Sequence, residues 1–336
     1  MIKYLSRLLG AIIFLTGHIA VAYAQTAKPL MTLKQIDPEF SSIVNKNAKA
    51  EILADGFLWS EGPVWVESQK MFIFSDVKKN VIYKWTKEKG KEIYLKPSGY
   101  TGTKPRGGEL GSNGLGLNIK GQLVICQDGD RVVSIMDAPL DKPKPKFIKI
   151  ATNYKGKKFD SPNDLAFLSN GDIYFTDPPY GLEKNVDDPL KEARYQGVYR
   201  ISANGKITLL TDTLTRPNGI AFFPGGKTIL ISNSDPKKAY WYAYDLDKNG
   251  LFIRGRIFYN ANEATKTAAG MPDGLKIDKQ GHVFATGPGG MWVFNRAGKL
   301  LGKILVNDLV SNCSLSGDEK TLYVTSNHRV LKIILR

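Results

Sequence analysis

Six polar residues recur along the chain where side-chain oxygen chemistry could be concentrated: Glu61, Asn113, Asn163, Asn218, Asp273 and Asn312, at spacings of 52, 50, 55, 55 and 39. They offer carboxylate and amide oxygens without sulfur or imidazole, and at most two negative charges, from Glu61 and Asp273. Such donors suit a hard cation, Ca²⁺ first and Mg²⁺ or Mn²⁺ after it, with Zn²⁺ a further choice. Any one Asn or Asp alone reads as a turn residue before a strand. The set carries more than its members: Glu is a poor turn former, and Pro162, Pro217 and Pro272 fix the chain just before three of the six. With only 3 His and 2 Cys, a multi-bridge disulfide scaffold and a four-cysteine zinc site are excluded and a His-cluster hydrolase is disfavoured. Cys126 and Cys313 are expected as two buried thiols.

The elements that must position these residues form a repeat. After each polar residue comes an apolar alternating run, a Gly or Asp turn, and a second apolar run that usually closes on Ser or Thr, as in Met71-Phe72-Ile73-Phe74-Ser75 and Ile173-Tyr174-Phe175-Thr176. A third β-rich run follows in all six units and a fourth in five, and the period is that of a four-stranded propeller blade. Long amphipathic helical periodicity is absent after Ala24, and the turns are rich in Gly, Asn, Asp and Pro. This predicts an all-β fold, a six-bladed β-propeller over 50–336 closed by an N-terminal strand: Ala50 to Leu53 supplies the strand that the sixth unit lacks, which removes an open sheet edge. The six polar residues then converge on one mouth of the central channel. Two long connections, Lys96 to Gly111 and Tyr180 to Gly197, fall on that same face and bring Arg106, Glu109 and Tyr180 toward it. His328, on a turn of the sixth blade, belongs to the mouth face as well, whereas His282 reads as a surface residue.

In order along the chain, Glu61-Gly62-Pro63-Val64-Trp65, Ser112-Asn113-Gly114-Leu115, Ser161-Pro162-Asn163-Asp164, Tyr174-Phe175-Thr176-Asp177-Pro178-Pro179-Tyr180-Gly181, Arg216-Pro217-Asn218-Gly219 and Met271-Pro272-Asp273-Gly274 form a specific signature. Over about residues 50–335 the chain resembles the gluconolactonase, senescence-marker-protein and luciferin-regenerating-enzyme family of six-bladed propellers. The resemblance implies a metal shell of Glu61, Asn163, Asn218 and Asp273, and a substrate contact from Asn113. It also implies hydrolysis of a cyclic sugar ester such as an aldonolactone. A cation would polarise the carbonyl while Asp273, with Glu61 the alternative, takes the proton from water. Ser161 stands where some members of the family have an arginine, and Arg216 is the residue that could substitute for it. Gln127-Asp128 stands where many bacterial relatives have Glu-His. Asn163, Arg216, Tyr180 and His328 join Asn113 as expected substrate contacts.

Residues 1–24 read as a secretory signal: Lys3 and Arg7, an apolar run from Leu8 to Val21, and Ala22-Tyr23-Ala24 before Gln25. A periplasmic or secreted location follows as an expectation, with no stable membrane insertion after cleavage and residues 25–49 as an N-terminal extension. The net charge of +15 (47 Lys+Arg minus 32 Asp+Glu) is spread over scattered lysines without a dense or aromatic-interleaved tract, so a nucleic-acid partner is not expected. The expected partner is a small-molecule lactone. Two other readings stay open at this stage: a propeller binding module with a structural Ca²⁺, and the same metal site acting on another ester or a phosphoester.

Overall fold

The structure, a computed structural model, describes residues 29–336, so the expected signal segment lies outside the described residues. Six antiparallel sheets, five of four strands and one of five, are arranged as blades around a central channel. Their inner strands are Ser60–Val66, Ser112–Leu117, Leu165–Phe167, Pro217–Phe222, Leu275–Ile277 and Asn312–Leu315. Each inner strand runs away from the mouth and pairs with a nearly all-buried second strand, such as Met71–Asp76 or Ile173–Asp177. These second strands carry consecutive apolar residues because both of their faces are covered by neighbouring blades.

Packing follows the seams between blades. Val64, Ile73 and Ile82 of blade one meet Leu115 and Ile125 of blade two, and Ala166 and Tyr174 of blade three meet Ile220 and Ile231 of blade four. At the closing seam Tyr323 stacks between Trp65 and Phe72, with ring centroids 4.9 and 4.8 Å away. Ala50–Asp55 completes the sixth blade, pairing Ala50 with Ile333 and Asp55 with Arg329. The ring is therefore shut by backbone hydrogen bonds between the two ends of the propeller chain.

Residues 29–49 do more than precede the propeller. Met31–Gln35 adds a fifth strand to blade five, pairing Met31 with Val306 and Gln35 with Gly302, and the short helix Phe40–Ile43 buries Phe40 and Ile43 at the seam between blades five and six. Gly302 makes this docking feasible: a Cβ there would lie 2.5 Å from the Phe40 ring. Cys126 and Cys313 are free, buried thiols. His282 is not a free surface residue, since its Nδ1 lies 2.8 Å from Asp278 Oδ2. No helix among the described residues is long and apolar enough to cross a membrane.

Candidate active site

The repeated polar residue sits at an irregularity. The first two strands shift register between Glu61 and Val64, between Ser112 and Leu115, and between Pro217 and Ile220, while in blades three and five regular pairing begins only after Asn163 and Asp273. A bulge of this kind re-aims one side chain, here toward the channel axis. The glycine that follows is a packing requirement. A Cβ on Gly62 would lie 1.9 Å from the Asn113 carbonyl oxygen, one on Gly114 2.5 Å from that of Asn163, and one on Gly219 2.4 Å from that of Asp273. In these three blades the glycine thus receives the backbone of the next blade's polar residue, and Gly274 receives the Asn312 side chain in the same way.

The Ser or Thr that closes the second strand completes the lock. Ser75 Oγ donates to the Asn113 carbonyl at 2.9 Å, Thr176 Oγ1 to that of Asn218 at 2.7 Å, and Ser232 Oγ to that of Asp273 at 2.5 Å. The residue after it fixes its own blade's loop: Asp76 accepts from the Leu58 and Trp59 amides, Asp177 from those of Asp160 and Ser161, and Asn233 from that of Arg216. Positioning is therefore carried by backbone contacts between blades, which leaves the functional side chains free.

Glu61, Asn113, Asn163, Asn218 and Asp273 line one cavity of about 370 Å³, a size that takes a small ligand. Tyr180 and Glu109 from the two long connections complete its wall with Trp59, Ser234 and Met271. Three expectations need correction. Asn312 lies beneath the cavity, donating through Nδ2 to Glu61 Oε2 at 3.1 Å and to Asp164 Oδ2 at 3.3 Å. His328 does not line the cavity: it is exposed, with Nδ1 3.3 Å from Asp308 Oδ2, because Asp308 also binds Arg329 and holds that turn outward. Arg216 stays outside the lining with its guanidinium 5.9 Å from the Tyr180 ring centroid, so it reaches the cavity only through that ring. Arg106 is a buckle between the two long loops, donating to the carbonyls of Gly129 and Gly181.

The electrostatics are those of buried carboxylates close to one another. Burial, opposed by the Gly62 amide and added to by Asp164, raises the Glu61 carboxyl to about 8. Asp273 is held well above the usual carboxylate range by burial and then by Glu61 and Glu109, and its Oδ1 is buried without a hydrogen-bond partner. Burial also lifts Glu109 to about 7. Asn218 Nδ2 donates to Ser234 Oγ at 3.1 Å and Asn113 Nδ2 to Asp128 Oδ2 at 3.3 Å, and the Asn113 Oδ1 is buried and unpartnered. Among the described residues no three His, Cys, Asp or Glu side chains gather as a metal cluster. The donor set is instead two carboxylates with amide oxygens, and unsatisfied oxygens around buried like charges fit a bound cation.

Residues 59–328 match the SMP-30/gluconolactonase/LRE-like region. The chain belongs to that family. A gluconolactonase of Zymomonas mobilis is 37% identical over 322 residues, covering 92% of this chain and 89% of that protein. A pentonolactonase of Haloferax volcanii is 25% identical over 276 residues, covering 79% and 80% of the two chains. The solved structure of XC5397 from Xanthomonas campestris, a gluconolactonase, superposes with a TM-score of 0.77 at 25% identity over 91% of this chain and 95% of that one. All five of the cavity's ring residues fall inside the matched family region.

Sequence reasoning missed the groups behind this family site. Asp164, fully buried, occupies the position that is glycine in four other blades, and Lys276 Nζ lies 3.8 Å from its Oδ2. Its departure from the Gly pattern was the available signal. Asp128 stands out in the sequence only as a departure from the Glu-His of bacterial relatives, with no sign of its contact to Asn113, and Ser234 gives no signal, since both partners are set only by the bend of the strands.

Proposed function

We propose that this member of a lactonase family opens a sugar lactone by cation-assisted attack of water in the mouth cavity. The observation that carries the reading is the buried, unpartnered Oδ1 of Asp273 in one cavity with Glu61, Asn163 and Asn218. Glu61, Asn163, Asn218 and Asp273 would hold the cation, Ca²⁺ being the best match to an all-oxygen set. A cation there supplies Lewis acidity toward a carbonyl oxygen and relieves the repulsion between the carboxylates. Asp273 takes a proton from the attacking water as that oxygen bonds to the lactone carbonyl carbon. The ring C–O bond then breaks and the ring oxygen is protonated, giving a hydroxy acid.

Asn113 and Asn163 offer hydrogen bonds to sugar hydroxyls, and Asp128 orients the Asn113 amide from behind. Trp59, Tyr180, Met271, Leu309 and Val310 form an apolar wall against a sugar ring face. The relatives named gluconolactonase and pentonolactonase support aldonolactones as the substrate class. The test is a panel of hexono- and pentonolactones assayed with chelator-treated protein, with and without added Ca²⁺. The reading expects Ca²⁺-restored hydrolysis of at least one of them, and absence of hydrolysis across the panel in both conditions would refute it.

A further inference from the structure

The two carboxyls of the mouth cavity are held in different ways. Asp273 keeps a buried oxygen, Oδ1, without a partner. Glu61 has one oxygen tied down: Oε2 accepts from the Gly62 amide at 2.7 Å and from Asn312 Nδ2 at 3.1 Å. Two donors on Oε2 leave Oε1 as the oxygen that Glu61 can offer to the cavity it lines. The Gly62 contact joins neighbours in sequence, whereas the Asn312 contact crosses the seam between blades one and six. Asn312 thereby ties Glu61 to a second blade.

The Asn312 amide has one workable orientation. Its Oδ1 accepts from the Cys313 amide at 2.8 Å and lies 3.5 Å from Lys276 Nζ, while Nδ2 bridges Glu61 Oε2 and Asp164 Oδ2. Turned over, the amide would set its oxygen against two carboxylates and its nitrogen against a backbone N–H and an ammonium, so every contact would become repulsive. Its place is fixed as well, because a Cβ on Gly274 would lie 1.9 Å from Asn312 Cγ. Glu61, Asp164 and Asn312 are all buried, so these hydrogen bonds to carboxylates are shielded from water and are of the stronger, charge-assisted kind. Lys276 balances the charge behind them: its Nζ lies 3.8 Å from Asp164 Oδ2 and donates to the Leu275 carbonyl at 3.0 Å. Glu61, Asp164, Lys276 and Asn312 come from blades one, three, five and six and meet across the channel, yet only Glu61 lines the cavity.

Resting on the cation-assisted reading of the mouth cavity, we propose that Asn312 is a positioning residue that holds Glu61 as a fixed one-oxygen ligand, and so sets how tightly the cation binds while leaving the proton transfer at Asp273 untouched. The experiment is calorimetric titration of chelator-stripped protein with Ca²⁺, with kcat measured on an aldonolactone at saturating Ca²⁺. Asn312→Leu, similar in volume and without a donor, should weaken Ca²⁺ binding by about 10- to 100-fold, the range for loss of a partner behind a metal ligand. It should also shrink the rise in melting temperature that a fixed Ca²⁺ concentration produces. Its kcat at saturating Ca²⁺ should stay within about threefold of the wild type, since the group lost makes no contact in the transition state. Asn312→Ala, too small to strain the clamp, should behave alike, and cooperative melts of the cation-free variants certify their folding. Lys276→Met removes a positive charge from the same cluster but leaves the contacts of Asn312 with Cys313 and Glu61, so Ca²⁺ should bind as tightly as in the wild type or more tightly; a role in packing alone would weaken both. Unchanged affinity in the Asn312 variants, a kcat at saturating Ca²⁺ that falls in step with affinity, or equal weakening by Lys276→Met would each overturn the proposal while the cation reading stands. A wild type that binds no Ca²⁺ would refute the cation reading itself, and this proposal with it.

Discussion

The two ends of the channel are built from the same blades by opposite rules. At the mouth, charged and amide side chains are buried, held in place through their backbones, and left short of partners, as the lone Oδ1 of Asp273 shows. On the underside the charges stand exposed on turn tips such as Lys206 and Lys227, and the backbone turns are satisfied by their own Asn and Asp residues. The mouth therefore stores electrostatic free energy that a ligand can release, whereas the underside holds little. Substitutions at the two ends should differ in kind.

The largest effect is expected at the mouth's acid. Asp273→Asn should lower turnover of a responsive lactone by about 10²–10⁴, the range for loss of a general base, without lowering the melting temperature of the chelated protein, since a repelling carboxylate is removed. Parallel kinetics and thermal melts check both halves. Next comes Gly219→Ala, which would force a Cβ to within 2.4 Å of the Asp273 carbonyl oxygen. Displacing that backbone by an ångström should cost about hundredfold in kcat, and overpacking should cost about 1–3 kcal/mol of stability. A variant with full activity would mean that the spacing between blades does not set the site.

A subtler difference concerns pH. Because Glu61 titrates at about 8 in the fold instead of near 4.5, the folded chain binds more protons than the unfolded chain between those values. Stability of the cation-free protein should therefore fall as pH rises through that window, with no penalty from Glu61 below it and the full penalty above it. Saturating Ca²⁺ should flatten the fall, a result that melts at pH 5 and pH 8 would read. Smallest is His328→Ala, which should change kcat/KM by less than about twofold, since the ring lies outside the cavity; a larger loss would bring that turn into the site.

Much of the architecture was legible because each blade repeats one packing problem. The Asn-Gly or Asp-Gly pair marks where two blades touch, and the terminal Ser or Thr marks the hydrogen bond between them, so the spacing of Asn113, Asn218 and Asp273 carried both the fold and the ring of side chains. Features outside the repeat were not legible. Met31–Gln35 is too short to announce its partner, and its pairing with blade five depends on Phe40 fitting over Gly302. His328 was placed on the right turn, but only the structure shows Asp308 holding it away. Arg216 was read as reaching substrate, and it instead backs Tyr180. Family membership and enzyme class could be read because motifs survive along the whole propeller; the cation and the particular lactone depend on distances that no linear pattern encodes.

The central claim is that one cation, held by Glu61 and Asp273 with their neighbouring amides, is required for turnover. It is tested most directly by titrating Ca²⁺ into chelator-stripped protein while following binding by calorimetry and hydrolysis of an aldonolactone in parallel. The account predicts one site per chain, absent in Asp273→Asn, with turnover rising from near zero in proportion to occupancy. Full hydrolysis by the stripped protein, unchanged as Ca²⁺ binds, would contradict it.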